Sequence, residues 1–480
     1  MSGYTAYNCT VIGQRYIEKE KPCEDCSLSY NNEHLHIAVV ADGHGDPRCF
    51  RSNTGSKLAC EIALQEMKRF AIALREENVE ERLFTRAGVH QLIDNLFCSI
   101  VDNWHTQTSE DLAQNPPTND EYLSAGEECA AIYREGRELA HIYGTTLIAM
   151  LLTERFLLVL HQGDGRCVVM HHDGKPDQPV PWDPRCEGRS TSSLCDDDVL
   201  SNWRYHLIDL KKDPIVACYA VSDGIEDSFE TLDELNAYLC LHACDYTEKG
   251  SSEYLEDLQE HFSELTKNGS RDDISIGGII DADAVSKYID MYHALHEYYV
   301  AKSENRRALE RVLSMKRKMA YLKERVDEAQ RLYDEACKEE ETHFNELGLL
   351  NKIIVNLTDK NDIVKENTLK AQSTFINAEA EFNDYSGLRA EYVEKAKKMK
   401  KAMDEAQHKL TMLSSSDEIL KAESYDSAES YVYSQPSPDE KDCLGEEGSG
   451  ASDEGTEVTE NAADRISDSS SNSNNNKEVD

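Results

Sequence analysis

Between residues 284 and 413 the chain has no proline, and glycine occurs only at Gly348 and Gly387. Proline breaks helices and glycine weakens them, so a stretch this long without them is committed to helix. Within it an apolar seam steps by three and four residues: Met291, Ala294, Tyr298, Ala301, Asn305, Ala308, Val312, Met315, Met319, Leu322, Val326, Ala329, Tyr333, Ala336. A second runs Tyr392, Ala396, Met399, Met403, Ala406, Leu410, Leu413. This is the a/d spacing of helices that pack along a shared line, as in a coiled coil. Two arrangements satisfy it. The segment folds back on itself, with reversals at Gly348, at Gly387 or in the 359–362 stretch, or it pairs with another chain.

The flanking regions differ in kind. Nine of the eleven prolines precede residue 215, among short apolar runs and Gly and Asp turns. After residue 414 the composition collapses to Ser, Asp, Glu, Asn and Gly, with 18 acidic against 4 basic residues. Such a tail buries too little apolar surface to fold and is expected to be disordered. The predicted domains are therefore 1–282, globular; 283–413, helical; and 414–480, an acidic tail. The whole chain carries 92 acidic and 51 basic residues, a net charge of −41. That charge repels nucleic acid and anionic membrane surfaces, so neither is an expected partner. No apolar run approaches the roughly 18 residues that span a bilayer. The first ten residues are polar, so no signal peptide is expected. Fifteen scattered cysteines then read as reduced thiols, and the expected location is cytoplasmic. Cys23 and Cys26 form a lone CxxC without the second pair that a zinc finger requires.

In the first 282 residues, strands are predicted at 27–30, 35–41, 145–152, 156–161, 166–171, 215–221 and 274–280. Turns are expected at 153–155, Gly163-Asp164-Gly165 and Asp173-Gly174. Helices are predicted at 56–75, 89–112 and 231–265. Runs of strands with helices between them fit an α+β fold of stacked layers.

The residues that carry chemistry are aspartates at the ends of these strands. Asp42 ends an apolar run and opens Asp42-Gly43-His44-Gly45; Asp223 ends another and opens Asp223-Gly224. Asp272 precedes the strand at 274–280, and Asp25, next to Glu24, precedes the strand at 27–30. A single Asp-Gly after a strand is ordinarily a turn. Four at strand ends in one domain can converge on one edge of a sheet. Carboxylates with a backbone carbonyl suit the hard cations Mg²⁺ and Mn²⁺.

Five segments, Ala41-Asp42-Gly43-His44-Gly45, Tyr143-Gly144-Thr145-Thr146-Leu147, Gly163-Asp164-Gly165-Arg166, Val221-Ser222-Asp223-Gly224 and Ser270-Arg271-Asp272-Asp273-Ile274-Ser275, stand in the order and strand context of one family. With Gly13 and Lys21-Pro22-Cys23-Glu24-Asp25 upstream, the chain resembles the type 2C, or PPM, protein serine/threonine phosphatases of bacterial style, over about residues 8–282. The resemblance implies a β-sandwich flanked by helices, with a two-cation Mn²⁺ or Mg²⁺ centre whose activated water attacks phosphorus in line. It implies that Asp42 bridges the cations and that the Gly43 carbonyl binds one. Asp223 and Asp272 hold the other, Asp25 and Glu24 act directly or through water, and Asp164 matches a third-cation position. His44, an imidazole able to titrate near neutrality, is placed to protonate the departing Ser or Thr oxygen. The implied substrate is a phosphoprotein, and the helical region is the expected site of self-association or partner binding.

The sequence departs from the family pattern at Asp46, where a glycine is frequent, at Gly165, where serine is frequent, and at Asp273, where asparagine is usual. The phosphate-gripping arginine of the first strand has no clean match; Arg15 is the nearest candidate and Arg48 the next. Two other readings remain at this point. One is a catalytically weak phosphatase-like domain that binds or scaffolds through its helical arm, and the other is a structural helical protein whose first domain only assists folding.

Overall fold

The computed structural model describes residues 3–171, 176–188, 190–346 and 359–421. Two five-stranded antiparallel sheets form its centre. The strands are β1 (Tyr4–Val11), β2 (Cys26–Asn31), β3 (Leu35–Ala41), β4 (Leu147–Thr153), β5 (Phe156–Gln162), β6 (Arg166–His171), β7 (Pro176–Asp177), β8 (Arg204–Asp209), β9 (Ile215–Val221) and β10 (Ile274–Asp281). One sheet has the order β1-β10-β9-β6-β7 and the other β2-β3-β4-β5-β8. The helices are α1 (Gln14–Glu18), α2 (Ser52–Glu76), α3 (Arg86–Gln114), α4 (Asn119–Ser124), α5 (Glu127–Arg134), α6 (Val199–Asn202), α7 (Asp223–Glu226), α8 (Leu232–Lys249), α9 (Ser251–Asn268), α10 (Ala282–Lys287), α11 (Ile289–Glu346) and α12 (Asp359–Lys421).

The layering explains why β3, β5 and β9 read as near-continuous apolar runs instead of alternating ones. Every residue of the three is buried. Ala38 and Val40 of β3 face the other sheet, meeting Cys218 and Ala220 of β9 and Ile279 of β10. Ile37 and Val39 face outward, under Ala59, Ala63 and Met67 of α2 and Phe97 and Trp104 of α3. On the opposite outer face, Tyr219 and Val221 lie under Leu239 of α8 and Phe262 of α9. A strand covered on both faces has no reason to alternate. The result is a four-layer α-β-β-α sandwich.

The seven predicted strands form; β1, β7 and β8 were not legible. β1 is an edge strand with polar side chains, held along β10 from Tyr4↔Asp281 to Val11↔Ile274. Its polar residues are used across the sandwich, where Asn8 Nδ2 donates to the Ser27 carbonyl (2.9 Å) and the Thr10 and Ser27 hydroxyls bond at 2.6 Å. The single helix predicted at 231–265 is two helices, because Gly250 takes φ +80° between α8 and α9. The Asp173-Gly174 turn, the Gly348 reversal and the tail beyond residue 421 lie outside the described residues.

In the helical region α11 and α12 pack antiparallel within one chain. Lys409 Nζ meets Glu297 (2.7 Å), and Asn305 Nδ2 lies 3.7 Å from Met403 Sδ. Farther out, Arg325 pairs with Glu381 (2.8 Å), and the Tyr333 and Phe375 rings stack. As the number rises along one helix it falls along its partner. Gly387 lies inside α12, with open space where a side chain would stand, so it marks no reversal. No described helix is long and apolar enough to cross a membrane.

The root of α11 belongs to the sandwich core. Met291, Tyr292 and Leu295 are buried with Val285 of α10 in the cluster that covers β9 and β10. Lys302 and Arg307 pair with Asp233 (2.8 Å) and Glu234 (2.9 Å) at the start of α8. Truncation after residue 282 removes these buried side chains, and losing one the size of Met291 or Leu295 typically costs roughly 2–5 kcal/mol. A chain ending at 282 is therefore expected to melt well below one ending at 311. Equal melting temperatures in thermal denaturation would show that these contacts contribute nothing.

Candidate active site

Strand register brings the four aspartates to one edge of the sandwich. Cys26 of β2 is paired with Ala41 of β3, so Asp25, just before one strand, lies beside Asp42, just after the other. In the facing sheet, Val221 of β9 is paired with Ile276 of β10, and the Ser222 amide donates to the Ser275 carbonyl (3.0 Å). Asp223 therefore leaves its strand where Asp272 enters the next. The sheets approach closely at Gly277, where a Cβ would stand 3.2 Å from Ala38 Cβ and 3.3 Å from Val40 Cγ2.

The loops are fixed by hydrogen bonds. The Asp42 amide donates to Thr146 Oγ1 (3.0 Å), and its carbonyl accepts from the Thr146 amide (2.8 Å) and Thr145 Oγ1 (2.9 Å). The Thr145-Thr146 motif thus positions Asp42. Gly43 donates its amide to the Glu24 carbonyl (3.1 Å), and a Cβ there would come within 2.5 Å of that oxygen, so only glycine permits the approach. Gly165 is crowded in the same way, 2.5 Å from the Val221 carbonyl, which accounts for glycine in place of serine.

The site concentrates negative charge. Desolvation raises Asp42 and Asp25 well above the ordinary carboxylate range. Asp25 and Asp223 push Asp42 further up, and Asp273 and Asp223 do the same to Asp25. Desolvation, with Asp164, Asp272 and Asp227 nearby, pushes Asp223 up to about 7; the Asp42 carboxyl, within hydrogen-bonding reach, opposes the rise. Desolvation also raises Glu24, Asp164 and Asp272, the last against the pull of Arg15. Glu24 Oε2 and Asp25 Oδ2 are buried without a hydrogen-bond partner. Among the described residues, no three His, Cys, Asp or Glu side chains stand as a ready-made coordination shell. The residues fit a hard cation in donor type, in unmet electrostatic demand and in these orphaned oxygens.

Arg15, on the short helix α1, is drawn into the cluster, its Nη2 lying 2.6 Å from Asp272 Oδ2 and 2.9 Å from the Tyr16 hydroxyl. Arg48 is exposed and engaged by Asp46 through Nε (3.0 Å) and Nη2 (2.9 Å). Asp46 also caps the 3₁₀ turn Pro47–Cys49. His44 differs from the sequence expectation. It is partly buried, and desolvation draws its imidazole down to about 4, so the ring is neutral at pH 7. Asp164 lies at the turn between β5 and β6, beside Arg166, which pairs with Glu226 (2.6 and 2.7 Å) and stacks on Trp182 at 3.8 Å. That pairing, the Thr146 contacts and the engagement of Asp273 were not legible in the sequence. The quoted motifs contain Thr146, Arg166 and Asp273, but spacing alone does not reveal their partners.

A family model described as protein phosphatase 2C matches residues 12–261, just over half the chain. The chain belongs to the protein phosphatase 2C family. The match spans Asp25, Asp42, Asp164 and Asp223 but not Asp272, and ends ahead of β10 and the helical region. Among solved structures, the serine/threonine phosphatase Stp1 from Staphylococcus aureus is 15% identical, with a TM-score of 0.35, covering 58% of this chain and 95% of that one. The serine/threonine phosphatase PstP/Ppp of Mycobacterium tuberculosis is 13% identical, with a TM-score of 0.35, covering 58% and 98%. RsbX in complex with magnesium is 12% identical, with a TM-score of 0.30, covering 58% and 94%. No curated protein sequence matches this protein phosphatase 2C chain.

Proposed function

We propose that this protein removes phosphate from phosphoserine and phosphothreonine on proteins, using Mn²⁺ or Mg²⁺ held by Asp42, Asp25, Asp223, Asp272 and the Gly43 carbonyl, with Glu24 and Asp164 at the periphery. The observation that carries this reading is the meeting of four sequence-distant aspartates at one sandwich edge, in a family of metal-dependent phosphatases. Two divalent cations, and a third near Asp164, would neutralise the carboxylates, and such ions supply Lewis acidity toward phosphoryl oxygens and acidify water.

The remaining steps belong to the chain. Arg15 exchanges Asp272 for a phosphoryl oxygen and orients the ester. Asp42, rigid on Thr145 and Thr146, fixes where the nucleophilic water sits relative to phosphorus. His44 gives a proton to the departing Ser or Thr oxygen. A phosphate dianion beside the ring raises its pKa from the low value that desolvation imposes, so the acid form is gained when substrate binds.

The α11–α12 pair is proposed as an arm for self-association or a protein partner, since its outward faces carry Leu313, Leu369 and Ile376 exposed. A cytoplasmic setting fits the absence of disulfides among the described cysteines.

The test is turnover of a phosphopeptide and of p-nitrophenyl phosphate by the full chain. Activity is expected to vanish in chelator and to return with Mn²⁺ or Mg²⁺. A chain that binds the cations yet turns over neither substrate would be the binding or scaffolding protein instead.

A further inference from the structure

Asp273 is one of the most buried charged residues in the protein, at 2% exposure. It stands where the family usually has asparagine, and its surroundings explain the difference. Oδ1 accepts the Gly13 amide and Oδ2 accepts the Glu24 amide, both at 2.6 Å. These are short even for charge-assisted bonds, and each amide takes a different carboxylate oxygen. Gly13 begins the turn into α1, which carries Arg15; Glu24 begins the loop that carries Asp25.

The backbone around Asp273 reaches the remaining parts of the site. A Cβ on Gly224 would come within 1.9 Å of the Asp273 carbonyl, so Asp223-Gly224 rests directly on this residue. A Cβ on Gly13 would meet the 272–273 peptide at 2.3–2.6 Å. The Arg15 amide donates to the Arg271 carbonyl (3.0 Å), and the Asp273 amide donates to Asp272 Oδ1 (2.9 Å). The segments that carry Arg15, Glu24–Asp25, Asp223 and Asp272 therefore all touch one residue, and its carboxylate ties together the Gly13 and Glu24 segments, which flank strands of different sheets.

We infer that Asp273 is a positioning residue: its carboxylate sets the phosphate-side arginine and the Glu24–Asp25 loop at a fixed separation, and an amide cannot replace it. Both partners are N–H donors. Asparagine has one acceptor oxygen, so in either rotamer its NH₂ would face an N–H group and leave a buried donor unpaired.

The inference rests on the phosphatase reading above. The test is Asp273→Asn in the full chain, measured by calorimetric titration with Mn²⁺ and by steady-state kinetics on p-nitrophenyl phosphate, with thermal denaturation alongside. Groups that support a metal site from behind it typically change affinity or activity 10–100-fold when altered. The Kd for Mn²⁺ and the KM for the ester are each expected to rise about tenfold in a variant that still folds. If either constant stays within about twofold of wild type, or the variant does not fold while Asp42→Asn does, the positioning role is overturned. Wild-type titration and turnover separate the two claims. An inert wild type sinks the phosphatase reading, whereas an active wild type matched by its Asp273→Asn variant sinks only this one.

Discussion

Asp42→Asn is expected to abolish turnover, weaken Mn²⁺ binding and raise the melting temperature of the chelator-treated protein. Asp42 is buried in the cluster, with Asp25, Asp223 and Asp272 all acting on it. An amide in its place cannot supply charge to a cation, so the site loses its central anionic donor. The same change removes like-charge repulsion from a buried cluster, and relief of that repulsion favours the fold. Its main-chain bonds to Thr145 and Thr146 do not involve the carboxylate and persist, so the loss is chemical instead of architectural. Calorimetric titration, turnover and melting in chelator measure the three effects. Full turnover with unchanged Mn²⁺ affinity would remove Asp42 from the site. A lower melting temperature in chelator would show that the carboxylate serves the fold and not function.

His44→Ala should spare Mn²⁺ binding and lower turnover of a phosphopeptide by on the order of 10²–10⁴-fold, the usual cost of a missing general acid. The ring follows Asp42-Gly43, and its own amide is tied to the Gly144 carbonyl (3.0 Å), so its place is fixed without the side chain's help. The loss should shrink on p-nitrophenyl phosphate, whose leaving group departs as a stable anion. Because desolvation holds the free imidazole near 4, the acid form depends on the bound phosphate dianion. The alkaline limb of kcat should accordingly lie higher in pH than that of kcat/KM, since the first reports the substrate complex and the second the free enzyme. Equal losses on both substrates, or coincident limbs, would remove His44 from the acid role.

The parts of the molecule that depend on local chemistry could be read from sequence. Buried runs such as 35–41 and 215–221 read as strands because they are short, rich in β-branched residues and bounded by turn residues. The three-four seam specified the contact line of α11, where Met315, Leu322, Val326 and Ala329 are buried as the spacing demands. The aspartates were visible because a carboxylate at a strand end is a local pattern, sharpened at Asp42 and Asp223 by the glycine that follows. Polar edge strands were not visible, since β1 owes its conformation to β10, some 270 residues away in sequence. Whether the helical seam closed within one chain or between two also lay beyond local pattern, because either arrangement buries the same residues. The pairing of Lys409 with Glu297 and of Arg325 with Glu381 decided it. The state of His44 was beyond reach for a related reason: titration depends on the solvent that the fold removes, and spacing carries no information about it. Asp273 makes the same point. In sequence it is a substitution beside a candidate ligand, and only the convergence of Gly13 and Glu24 on its two oxygens gives the carboxylate a purpose.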